Sequence, residues 1–123
     1  MKKNVVKDKS FQFAIRIVNL SKFLIEKKEF VISKQILRSG TAVGALIRES
    51  EHAESKPDFI HKLSIALKEA NESDYWIDLL FETDYLNEKE YKTLKSDIES
   101  LIKLLVSIIK STKENFRKSK LKK

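Results

Sequence analysis

The sequence has no cysteine, one proline and two glycines in 123 residues. Without cysteine there are no disulfides and no thiolate metal centres. A reducing cytoplasm fits that composition. So few turn formers argue against an all-β fold, in which turn signals recur at short intervals. Long apolar runs are missing too. The most apolar stretch, Leu101 to Ile109, contains Lys103 and is far too short to span a bilayer. Met1-Lys2-Lys3 is not followed by an apolar run of signal-peptide length. There is no Gly-rich phosphate loop, nucleophile motif or recognisable acid–base pair, so no enzymatic activity is expected. The two histidines, His52 and His61, flank Pro57. A metal site needs three or four convergent ligands, and neither a metal nor a cofactor is expected.

What the chain does have is helical periodicity. A first helix is expected from about Lys9 to Lys28. It carries two apolar stripes, Phe11, Ala14, Ile15, Val18 and Ile25, and Phe13, Ile17, Leu20 and Leu24. A second is expected from Ser33, as its N-cap, to about Ser55, with Ile32, Ile36, Gly40, Val43 and Ile47 inward. Pro57 suits the first turn of a third helix running to about Asp84. Its core face is Phe59, Leu63, Ala66, Ala70, Ile77 and Leu80, with Tyr75 and Trp76 beside it. Asn87 and Glu90 have capping-box spacing for a fourth helix. Its seam is Tyr91, Leu94, Ile98, Leu101, Leu105 and Ile108, widened by Ile102, Val106 and Ile109. Short connections make neighbours antiparallel, so the expected fold is all-α, an up-down-up-down four-helix bundle. The expected division is a basic segment over 1–9, the bundle over 10–112 and a basic tail over 113–123.

Glycine in mid-helix costs about 1 kcal/mol relative to alanine. Gly40 and Gly44, spaced G-x-x-x-G with Ala42 between them, therefore point to close helix packing. A monomeric bundle needs one apolar face per helix. The surplus on the first and fourth helices predicts a homo-oligomer.

The net charge of +7 is unevenly spread. Residues 1–9 carry +3 and residues 110–123 carry +6, whereas residues 10–109 sum to −2. In an antiparallel bundle both termini and the turn between the second and third helices share one end. That end attracts polyanions. The candidate nucleic-acid contacts are Lys2, Lys3, Lys7, Lys9, Lys56, Lys62, Lys110, Lys113, Arg117, Lys118, Lys120, Lys122 and Lys123. Solvated tails that aid solubility are the plainer alternative. Arg38 and Arg48, placed on one side of the second helix, are expected to form ion pairs with Glu69, Glu72 or Glu49. Lys62 and Lys68 are expected at the solvated surface, and Trp76 in a packed contact rather than under a base.

RSGTAVGALIRES (38–50) and SKPDFIHKLSIALKEANESDYW (55–76), with the heptad helix after them, resemble a bacterial family. It comprises the four-helix-bundle proteins encoded by intervening sequences in 23S ribosomal RNA genes, related to accessory proteins of diversity-generating retroelements. The resemblance covers about residues 10–112. It implies a ring-like homopentamer, and for the retroelement relatives the absence of enzymatic activity. For the retroelement relatives it implies nucleic acid and a reverse transcriptase as partners. For the ribosomal-intervening branch it implies at most an RNA-related role. The expected function is non-enzymatic nucleic-acid binding by a homo-oligomer. The alternatives are a protein–protein scaffold, or a selfish-element product that binds no nucleic acid.

Overall fold

A computed structural model describes residues 2–121, with side chains from residue 5 onward. Lys122, Lys123 and the side chains of Lys2 and Lys3 lie outside the described residues. Four helices follow in order: α1 Lys2–Glu26, α2 Phe30–Ser50, α3 Lys56–Glu82 and α4 Glu88–Leu121. Among the described residues α1 meets α2, α2 meets α3, α3 meets α4, and α4 closes back on α1 along a thinner seam. Among the described residues the backbones of the diagonal pairs, α1 with α3 and α2 with α4, stay apart. This is the up-down four-helix bundle that the short connections require.

Helix ends differ from expectation for local reasons. α1 begins at Lys2 rather than near Lys9, because the apolar spacing continues upstream through buried Val6 and Ser10. α2 begins at Phe30, where the Glu29 carboxylate accepts from the Ile32 amide at 3.2 Å. Ser33 is therefore not its cap. Its hydroxyl is buried and pairs with that of Ser21 on α1 at 2.7 Å. α2 stops at Ser50, and Ser55 caps α3 by accepting from the Asp58 amide at 3.2 Å. Pro57 sits in the first turn of α3, where its missing N–H costs nothing. Asn87 and Glu90 form the expected reciprocal capping box, at 2.8 and 3.0 Å.

The core follows the stripes with three changes. Phe13, Ile17, Leu20 and Leu24 are buried, but Phe11, Ile15, Val18 and Ile25 are 48, 42, 36 and 50% exposed. Within this chain α1 is thus covered on one side only. On α4 the last buried seam position is Ile109 rather than Ile108, a four-residue step after Leu105. Tyr75 is 58% exposed and points away from the core stripe it adjoins in sequence. Six serines are buried instead: Ser10, Ser21, Ser33, Ser39, Ser50 and Ser73. Their small side chains let the helices approach closely. Ser73 donates to Ser39 across the α2–α3 seam at 2.9 Å, and no buried side-chain polar atom is left unpaired among the described residues.

Candidate nucleic-acid interface

The start of α1, the α2–α3 turn and the second half of α4 meet at one end of the bundle. Val6, Ile47, Phe59, Leu63 and Ile108 line a cleft of about 390 Å³ there, together with Lys7, Glu51 and Lys56. Lys7 pairs with Glu51 at 3.1 Å, which ties α1 to the turn. Lys62 lies between Asp58 and Glu49 at 3.7 and 3.9 Å, so two carboxylates already share its charge. Lys9 and Lys56 are exposed.

Beyond Ile109 no described side chain of α4 is buried. The helix runs on to Leu121, about 18 Å further at 1.5 Å per residue. Lys110, Lys113, Arg117, Lys118 and Lys120 are exposed along it. Lys120 lies over the Phe116 ring, 5.1 Å from its centre. Of the thirteen lysine and arginine candidates, the fold thus gathers Lys7, Lys9, Lys56 and Lys62 and the α4 set toward one end. Two of these, Lys7 and Lys62, are tied up by carboxylates. Lys68, on α3, is exposed, as expected of a solvated lysine.

Arg38 bonds to both Glu69, at 3.0 Å, and Glu72 on α3. Glu72 also accepts from the Trp76 indole at 3.0 Å, and Trp76 is half-buried. This network joins α2 to α3 and occupies the Arg38 guanidinium. Arg48 does not share that side. Ten residues do not complete a whole number of turns at 3.6 residues each, and Arg48 instead caps the Phe11 ring on α1 at 5.0 Å. Glu49 and His52 have E-x-x-H spacing, but both are exposed, and His52 lies past the end of α2. No cluster of three or more potential metal ligands forms among the described residues. No helix among them is long and apolar enough to cross a membrane.

A further polar group joins α3 to α4 without having stood out in the sequence. Lys95 reaches Asp74 at 2.7 Å and Asp78 at 3.0 Å. Tyr91 donates to Asp78 at 2.8 Å and stacks on Phe81. Burial pulls the Lys95 pKa down, but the hydrogen bonds and charges of Asp74 and Asp78 outweigh it and the net shift is upward. The hydrogen bond to Asp78, then burial, pushes the Tyr91 phenol up. The legible signal was the i,i+4 carboxylate pair Asp74 and Asp78, since such residues share a helix face.

The family model of the 23S rRNA-intervening sequence protein matches residues 2–107. The chain belongs to that family. A similar structure is known by crystallography at 1.70 Å: a protein with unknown function, from the S23 ribosomal protein family, from Bacteroides thetaiotaomicron VPI-5482. It is 62% identical with a TM-score of 0.87, and the match covers 89% of this chain and 99% of that one. No curated protein matches the sequence. The α4 segment 108–121, which carries the exposed cations Lys110, Lys113, Arg117, Lys118 and Lys120, lies beyond the residues that the 23S rRNA-intervening sequence family model covers.

Proposed function

We propose that this chain is a non-enzymatic, homo-oligomeric cytoplasmic protein that binds nucleic acid through its basic end. The observation that carries the reading is the convergence of Lys9, Lys56 and the α4 cations at one end of a body that is otherwise slightly acidic. Such an asymmetric field concentrates polyanions. The apolar stripe of Phe11, Ile15, Val18 and Ile25 supports self-association, because each of these side chains remains at least a third exposed even with Arg48 over the Phe11 ring. A ring of five subunits side by side, as the family resemblance and its kinship with retroelement accessory proteins imply, would gather the basic ends on one rim and make binding multivalent.

A gel shift over a range of salt tests the nucleic-acid reading. Deleting residues 113–123 is expected to weaken binding and flatten the salt dependence. Unchanged affinity and slope would reject the basic end as the site. Sedimentation tests the oligomer: a monomer at micromolar concentration would reject it. The same apolar stripe favours a second reading, a scaffold for another protein. A pull-down that survives nuclease and high salt would support that instead.

A further inference from the structure

We infer that the outward face of α4 is a cationic rail that seats in the major groove of double-stranded DNA. The inference rests on the nucleic-acid reading above and names its partner. Lys103, Lys110 and Arg117 recur at seven-residue steps, with Lys113 three residues after Lys110. At about 100° per residue these four project to one side of the helix. All four are exposed. Thr112 and Phe116, on the side facing the bundle, are half-buried. The cationic side therefore faces outward, and past Ile109 no helix of the bundle shields it.

The width of the cationic arc selects the partner. Lys113 lies on one flank of the outward face and Lys118 on the other, with Lys110 and Arg117 between them. Glu114, the single acid in the segment, lies on the same outward face between Lys110 and Lys118, so the cations outnumber it there four to one. Charge on both flanks suits a helix held between two walls of phosphate. The major groove of B-form DNA is about 12 Å wide and admits an α-helix of about 10–12 Å. The corresponding groove of A-form RNA is deep and too narrow for readout. Single strands are held by aromatic platforms interleaved with cations. The aromatic side chain of this segment, Phe116, lies off the rail and under Lys120.

The test is fluorescence anisotropy with the full chain. The probes are a DNA duplex of about 20 base pairs, an RNA duplex of the same sequence, and the separate DNA strands. A rearranged variant carries Lys113→Asn with Asn115→Lys, and Arg117→Ser with Ser119→Arg. Composition and net charge are conserved, but two cations move to the bundle side. A second variant, Lys113→Gln with Arg117→Gln, keeps good helix formers, and circular dichroism checks that both fold. The DNA duplex is expected to bind on the order of tenfold more tightly than the other probes, and each variant to lose a similar factor toward it. Equal or tighter binding of the RNA duplex or the single strands overturns the rail while leaving the nucleic-acid reading intact. So does full affinity in the variants. Binding to none of the probes overturns both.

Discussion

Ile17 on α1 fills the space that a side chain at Gly40 on α2 would need. A Cβ at Gly40 would lie 2.8 Å from both Ile17 Cγ atoms, and Ile17 is fully buried. At Gly44 the nearest atom to such a Cβ is the Ser10 carbonyl oxygen, at an ordinary 3.4 Å. The two glycines of one motif therefore differ. Gly40→Ala is expected to destabilise by about 1–2 kcal/mol, overpacking outweighing the helix-propensity gain. Gly44→Ala should be neutral or stabilising by up to about 1 kcal/mol. Thermal or urea denaturation of the two variants checks the contrast, and equal effects would contradict it.

With both glycines spent inside α2, the helix ends do without them. Lys28 and Asp84 adopt left-handed conformations, with φ of 63° and 68°. Each closes a Schellman motif: Glu29 N–H to the Leu24 carbonyl and Lys28 N–H to Ile25, and likewise Tyr85 to Leu80 and Asp84 to Phe81. An L side chain is strained there, where glycine is not. Lys28→Gly and Asp84→Gly are each expected to raise stability by about 1 kcal/mol. A lower melting temperature in both would show that the side chains do more than tolerate the turn.

These two relationships also show what the sequence could and could not convey. Apolar spacing located all four helices and nearly all of the core, because burial imposes that period directly. It could not separate a core stripe from an exposed one on α1, since Phe13 and Phe11 have the same chemistry. Nor could it find the serine contacts. Ser33 in a sequence reads as a cap, and only its register with Ile36, Gly40 and Val43 hints at burial. At the basic end the charge imbalance was legible. The i,i+4 pair of Lys62 with Asp58 was legible too, but the contacts of Lys7 with Glu51 and of Lys62 with Glu49 were not, because those partners lie on other elements whose relative placement local pattern does not specify.

The Ser39–Ser73 hydrogen bond offers a cleaner energetic test. Both residues are fully buried. Ser73→Ala leaves the Ser39 hydroxyl without its cross-helix partner, at a cost of about 1–3 kcal/mol. Replacing both by alanine should cost less than the sum of the single changes, since no orphan hydroxyl remains. A double-mutant cycle measures the coupling. Strict additivity would argue that the hydroxyls do not depend on each other.

Alkaline pH should loosen the α3–α4 seam. The folded pKa values of Lys95 and Tyr91 both lie above their ordinary ones. Below pH about 10 both groups hold their protons whether folded or unfolded, so their contribution is complete. As pH rises further the unfolded chain releases its protons first, and stability falls. Lys95→Met and Tyr91→Phe should each flatten this decline between about pH 10 and 12 relative to the parent chain. An identical decline in all three proteins would show that the seam does not sense pH.

The most direct test of the whole reading is the dependence of nucleic-acid affinity on salt. A basic end that neutralises several phosphates should give log affinity falling linearly with log salt, by about 0.9 per contact on a duplex. Neutralising Lys110, Lys113 and Arg117 together should reduce that slope by nearly three. Neutralising Arg38, already held by Glu69 and Glu72, should leave it unchanged. A slope insensitive to the α4 cations, or one that depends on Arg38, would contradict binding through the basic end.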